Sequence, residues 1–188
     1  IYAVKTHLFL GEDTLVETAR RMGIEKDLPA IPSLPLGTAE ISMRDFANAY
    51  TTLASNGYKR DLSVILKVTD MHGNVLYEKK DNSTQVLNSN YTFILNEMLT
   101  ATYNSAFIDY NTPTIISLGS KISRKYAMKT GSSGTDCYMI GYNPDILMLV
   151  WNGYDDNRQM QPADGNISKN IWVNTVEEYL KDKEARWY

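Results

Sequence analysis

Residues 129 to 133 read Lys-Thr-Gly-Ser-Ser, a cationic amine followed by hydroxyl-bearing and small residues, set between two segments with strand character. Along a strand, side chains alternate, so Lys129 and Gly131 fall on one face and Thr130 and Ser132 on the other. A lysine brings fixed positive charge to a cleft, and a strand glycine lets a ligand or another backbone approach closely. The amide of the residue after Gly131 can donate to a developing oxyanion. This group therefore suits an anionic substrate. The competing reading is a polar strand end with Lys129 reaching into water.

Other motifs fail on spacing. A phosphate-binding P-loop needs its lysine after the glycines, and Lys129 precedes Gly131 and Gly134. A nucleophile elbow needs glycine where Thr135 stands. A Ser-His-Asp triad would have to recruit His7 or His72, which fall in a helix and a hairpin turn. The Asp155-Asp156 pair reads as a solvated turn, since neighbouring side chains on a strand end point apart. No His or Cys lies at ligand spacing, so neither a metal site nor a cofactor is expected.

The elements that must carry this group can be read from periodicity. Strands are expected at about 125–130, 136–142 and 146–152, with Tyr-Asn-Pro-Asp as the turn between the last two. A final helix, capped by Ser168, would show a stripe of Ile171, Trp172, Thr175, Val176, Tyr179 and Leu180. Upstream, Ile1, Val4 and Leu8 place residues 1–10 in a helix ending near Gly11. A second helix is expected over 14–22, with a Thr14/Glu17 capping box, an inner face of Leu15, Ala19 and Met22, and a stop at Gly23. Pro29, Pro32 and Pro35 keep 24–41 irregular. Ser42 caps a helix lined by Phe46, Tyr50, Leu53 and Ala54 and stopped by Asn56-Gly57. A β-hairpin follows within 62–80, around Met-His-Gly-Asn. A further helix from Ser89 or Asn90 to about Thr102 turns Ile94, Leu95, Met98 and Leu99 inward, and 104–122 is a weakly patterned connection. The fold class expected is α+β, an antiparallel sheet covered by helices.

The 188 residues suffice for one domain with a core, and the net charge of −3 gives no reason to expect nucleic acid. The single cysteine, Cys137, excludes an internal disulfide. The longest apolar run, Ile146 to Trp151, is a buried strand rather than a membrane span. The chain opens without an initiator Met, already in helical periodicity and with no cap, as expected for a cut through a larger domain.

Three stretches then carry a resemblance. The first is "KTGSS" and the second "DCYMIGYNPDILMLVWNGYDD". The third is "IPSLPLGTAEISMRDFANAYTTLASNGY", preceded by "ARRMGI" and followed by the hairpin "VILKVTDMHGNVLYEK". In this order they resemble the C-terminal part of the transpeptidase domain of class A (bifunctional) penicillin-binding proteins, over almost the whole chain. The resemblance implies an incomplete penicillin-binding, serine β-lactamase-like fold. Residues 1–188 would be the C-terminal portion of one transpeptidase domain, with the 62–80 hairpin as an insertion within it. The family's SxxK nucleophile motif and its SxN motif have no counterpart here and would lie upstream.

The implied reaction is acyl transfer from the D-Ala-D-Ala end of a peptidoglycan stem peptide to an amine on a neighbouring strand. β-Lactam antibiotics would acylate the same upstream serine. The resemblance makes Lys129 and Ser132 the catalytic group, with Thr130, Gly131 and Ser133 as substrate-binding residues. It also implies a parent anchored at the outer face of a bacterial cytoplasmic membrane, with an upstream glycosyltransferase domain. The chain alone is then expected to be inactive. Departures are Met128 before the KTG lysine, a loop about two residues short between Ser133 and Asp136, and Tyr138 in place of the usual tryptophan. Two other readings stay open: a β-lactamase or β-lactam sensor, against which the "SLPLGTAE" region speaks, and a non-catalytic cell-wall scaffold.

Overall fold

The computed structural model describes residues 1–109 and 111–188; Tyr110, within the expected 104–122 connection, lies outside the described residues. The chain forms two compact units, Ile1–Asn88 and Ser89–Tyr188.

In the first unit, α1 spans Tyr2–Leu10 and α2 spans Glu12–Arg21. Gly11 joins them at φ 89°, a left-handed value open to glycine, so α2 starts at Glu12 and not at Thr14. Thr14 consequently donates its hydroxyl to the Leu10 carbonyl at 2.7 Å, and the expected capping box does not form. Glu12 and Asp13 face the positive end of the helix dipole instead. At the other end the Gly23 amide bonds the Arg20 carbonyl and the Ile24 amide bonds the Ala19 carbonyl, both at 3.0 Å, with Gly23 at φ 102°. This is a Schellman stop, and it packs Ile24 against Ala19 and Ala49. On α1 only His7 is buried, its Nε2 donating to the Ile31 carbonyl at 3.1 Å, whereas Ile1 and Leu8 are exposed.

Ser42 caps α3 (Met43–Ala54) as its sequence predicts, its hydroxyl accepting the Asp45 amide at 3.1 Å. The buried face is Ala49, Thr52 and Leu53; Phe46 and Tyr50 are half-buried and meet edge to face at 4.9 Å. Beyond Asn56 and Gly57, β1 (Tyr58–Arg60) pairs with β4 (Ser83–Gln85), a ladder that periodicity does not reveal in three-residue strands. Between them β2 (Lys67–Thr69) and β3 (Val75–Glu78) pair antiparallel, and every residue of both strands is exposed. The Asp70 carboxylate accepts the amides of His72 and Asn74 at 2.9 and 2.8 Å and so builds their turn.

The second unit holds the main core. After α4 (Ser89–Leu99) and three short 3-10 turns, β5 (Ala127–Ser132), β6 (Asp136–Asn143) and β7 (Ile146–Gly153) form an antiparallel sheet in chain order. Helix α5 (Ile167–Leu180) lies on one face. Trp172, Val173, Val176 and Leu180 are buried there with Tyr126, Met128, Met139 and Val150. Trp172 sits over Gly141 and donates its indole N–H to the Met148 carbonyl at 2.9 Å. Ile171, Thr175 and Tyr179, expected in the stripe, face solvent, because the stripe is centred on Trp172 and Val176 with Val173 on its flank. Ser168 is buried but does not cap α5; its amide donates to the Asn152 side chain at 3.1 Å. At the far end the Arg124 guanidinium donates to the Leu180 carbonyl at 2.8 Å, a cation on the negative helix terminus.

Helix α4 is also turned from its expected orientation. Thr92 and Asn96 are its buried residues, while Ile94 and Met98 are 53% and 67% exposed. The buried Asn96 accepts the Tyr142 hydroxyl at 2.8 Å, so a polar partner on the sheet decides the inward face. The architecture is α+β, with antiparallel sheets and helices, as expected.

Candidate active site

Strand β5 carries the KTG group. Its register with β6 is Met128↔Gly141, Lys129↔Ile140, Thr130↔Met139, Gly131↔Tyr138 and Ser132↔Cys137. Directly paired residues share a face. Met128, Thr130 and Ser132 therefore point to the α5 side, where Trp172 overlies Gly141. Ala127, Lys129 and Gly131 point to the other side, with Tyr142 and α4 at its covered end. Toward the Ser132 end both faces open: Met128 is fully buried, whereas Lys129, Gly131 and Ser132 are exposed and Thr130 is half-buried.

Sheet order leaves β5 at an edge. The Ser133 amide donates to the Asp136 carbonyl at 2.9 Å. In an antiparallel ladder, inward and outward backbone groups alternate. With Ser133 bonding inward, the amide and carbonyl groups of Thr130 and Ser132 face the open edge, away from β6. Lys129 lies on the α4 face, yet its ammonium bends around to the Thr130 carbonyl. The positive charge thus reaches the same edge as the Ser132 amide. The Ser132 hydroxyl makes no hydrogen bond among the described residues. One edge therefore presents a cation, a free backbone donor and a free hydroxyl, a donor set for a carboxylate or an oxyanion.

Ser133 is used differently. Its hydroxyl accepts the amides of Thr135 and Asp136 at 3.1 and 3.0 Å and donates to the Asp136 carboxylate at 3.2 Å. It is a turn-building residue. Asp136 also accepts the Thr135 hydroxyl at 2.9 Å and the Trp151 indole N–H at 2.8 Å. These donors, Trp151 foremost, hold its carboxyl below the usual range. Tyr138 leans over Gly131; burial, and then the Asp136 charge, push its phenol up. The strand's other end is fixed by Tyr103, whose hydroxyl accepts the Tyr126 amide at 3.1 Å and donates to the Tyr126 carbonyl at 3.2 Å.

A loop from 154 to 161 backs the turn. The Met160 amide donates to the Gly134 carbonyl at 2.8 Å, and Gln159 lies where a side chain on Gly134 would stand. Asp155 and Asp156 are exposed, and Asp156 pairs with Arg158 at 3.4 Å. Among the described residues no cluster of His, Cys, Asp and Glu is arranged to hold a metal ion. No helix among them is long and apolar enough to cross a membrane.

Structure places this fold in a class. The chain superposes along its whole length on penicillin-binding protein 1A from Haemophilus influenzae, covering 34% of that chain with a TM-score of 0.89 at 19% identity. It also matches the PonA1 protein from Mycobacterium tuberculosis in complex with penicillin V, at a TM-score of 0.71 and 22% identity over 90% of this chain and 50% of that one. The fold is part of a penicillin-binding-protein transpeptidase domain. In sequence the chain is 40% identical to penicillin-binding protein 2D of Bacillus subtilis over 182 residues, 96% of this chain and 26% of the relative. It is 25% identical to penicillin-binding protein 1A of Neisseria gonorrhoeae over 98% of its length and 23% of that protein. No family model matches. The chain is homologous to the class A penicillin-binding proteins, spans about a quarter of the length of these relatives, and matches a segment of their transpeptidase domain.

Proposed function

We propose that residues 1–188 form the C-terminal portion of a serine D,D-transpeptidase domain, whose nucleophile lies upstream in an SxxK motif. The observation that carries this reading is the open edge of β5. There the Lys129 ammonium, the outward Ser132 amide and the free Ser132 hydroxyl meet beside a strand that ligand can approach. In the reaction the upstream serine attacks the carbonyl between the two D-alanines of a stem peptide. The tetrahedral oxyanion takes a hydrogen bond from the Ser132 N–H. The C–N bond breaks, the terminal D-alanine leaves with a proton, and an amine of a second strand later takes the acyl group from the serine. The terminal carboxylate is held by Lys129 and the Ser132 hydroxyl. Thr130 and Gly131 shape the strand, and Ser133 contributes the turn rather than a contact to the carboxylate. A preorganised donor at the oxyanion is worth on the order of 3 kcal/mol of barrier. A β-lactam enters by the same attack but keeps its leaving group tethered, so the acyl-enzyme persists.

The parent protein then works on peptidoglycan at the outer face of the bacterial cytoplasmic membrane, anchored and joined to a glycosyltransferase domain upstream. The test is intact-mass spectrometry with penicillin. The complete protein should gain one drug mass, mapped to a serine outside residues 1–188, and the chain alone should gain none, because acylation needs an activated nucleophile beside its base. A stable adduct on any serine within 1–188 would overturn the assignment of the nucleophile. No adduct on the complete protein would overturn the reaction.

A further inference from the structure

The 133–136 turn contains a carboxylate with no role in the reaction above and an unusual density of donors. We propose that Asp136 is a positioning residue, which fastens the turn to β7 and thereby fixes the Ser132 amide and hydroxyl at the open edge. This rests on the assignment of Ser132 to substrate binding.

Three observations converge on it. First, both carboxylate oxygens are occupied. Oδ1 accepts the Trp151 indole N–H at 2.8 Å, and Oδ2 accepts the Thr135 and Ser133 hydroxyls at 2.9 and 3.2 Å. Second, the link spans the sheet. Ser133 stands next to Ser132 on the turn from β5, Asp136 opens β6, and Trp151 lies on β7. One carboxylate thus ties the exposed end of an edge strand to a strand two places away. Third, room is made for this link. A side chain on Gly153, which pairs with Asp136, would stand 2.6 Å from the Trp151 ring and 3.1 Å from Asp136 Oδ1. Ser132 itself turns its amide and carbonyl away from β6, so it is held through its neighbours, at the point where the sheet opens to solvent. A donor displaced by about 1 Å from its working position can lose on the order of 100-fold in rate, so the turn that fixes it matters to the chemistry.

The experiment measures the second-order rate of acylation by benzylpenicillin in the complete protein, for Asp136→Ala, Ser132→Ala and the double variant, with thermal melting for each. Asp136→Ala should slow acylation on the order of 10- to 100-fold. The double variant should lose less than the product of the two single losses, because in Ser132→Ala the hydroxyl is already gone and Asp136 still fixes only the backbone amide that alanine keeps. Asp136→Asn, which can still accept from Trp151, should recover part of the rate. A purely structural role would lower the melting temperature and give additive losses, and that result overturns the proposal. If Ser132→Ala slows acylation but Asp136→Ala does not, the positioning role falls and the transpeptidase site stands. If Ser132→Ala has no effect, the site assignment falls and the positioning role falls with it. Should Asp136→Ala not fold, Trp151→Phe in its place removes one donor and keeps the ring. It should cost about tenfold, again less than additively with Ser132→Ala, and an unchanged rate would overturn the proposal.

Discussion

Adjacent serines on one turn do different work. Ser132 keeps a free hydroxyl at the open edge, and Ser133 spends its hydroxyl on two amides and a carboxylate. Ser132→Ala in the complete protein removes the hydroxyl and keeps the backbone donor. It should slow penicillin acylation about 10- to 150-fold, the equivalent of roughly 1.5–3 kcal/mol for a hydrogen bond to a charged group, with melting unchanged. An unaltered rate would show that the hydroxyl does not meet the drug carboxylate. A second residue-scale prediction concerns Glu97, whose carboxylate accepts both-oxygen bonds from Lys125 at 2.8 Å and a third from the Trp187 indole. Lys125 first, and then Trp187, hold its carboxyl below the usual range. A lowered folded-state pKa means stabilisation that is complete above the unfolded value of about 4.3. It is lost as pH falls through the lower folded value. Trp187→Phe should move the Glu97 titration, followed by carboxyl carbon NMR, upward toward the ordinary value, and an unmoved midpoint would count against the indole bond.

Among the elements, the packing of α5 on the sheet depends on an absent side chain. An added Cβ at Gly141 would lie 2.5 Å from the Trp172 ring and 3.2 Å from Met128. Trp172 is fully buried and tied to the Met148 carbonyl, so it cannot yield cheaply. Gly141→Ala should therefore destabilise the fold by about 1–3 kcal/mol, read as a lower urea midpoint with an unchanged slope. In α3, Ser42→Ala leaves the Asp45 amide without its acceptor and should cost about 0.5–2 kcal/mol in the same measurement. A midpoint unmoved by Ser42→Ala would mean that water replaces the cap at no cost.

Across the whole molecule, burial is uneven. Among the described residues the second unit holds a core cluster of ten buried residues running from Ile115 to Leu180, whereas β2 and β3 in the first unit are exposed along their length. An isolated two-stranded hairpin is marginal in water, and local opening follows the amount of buried apolar surface. Hydrogen exchange should accordingly be slowest in β6 and in α5 around Trp172 and Val176. It should be fastest at β2, β3 and their turn, within reach of the unprotected rate. Equal protection of hairpin and sheet would mean that the hairpin is held by more than its own ladder.

Much of the second unit is legible from the sequence because its information is local. Short apolar runs over 136–142 and 146–152, with turns two or three residues long, point to an antiparallel sheet in chain order. Parity along β5 then assigns Lys129 and Gly131 to one face and Thr130 and Ser132 to the other. Helix stops at Gly23 and Gly57 and the Ser42 cap are local too, since each is a matter of backbone geometry within a few residues. Only the tertiary structure decides what depends on register and on partners far along the chain. The apolar period of α4 points Ile94 and Met98 inward, yet the Asn96–Tyr142 hydrogen bond, spanning 46 residues, turns the helix the other way. The β1–β4 ladder joins segments too short for alternation to show. The Asp136–Trp151 link exists because the β6–β7 register pairs Asp136 with Gly153, whose missing side chain leaves room for the indole. Residue types alone propose the amine and the hydroxyls. That the Lys129 ammonium and the outward Ser132 amide come to one edge is set by which backbone groups the ladder consumes and which it leaves free.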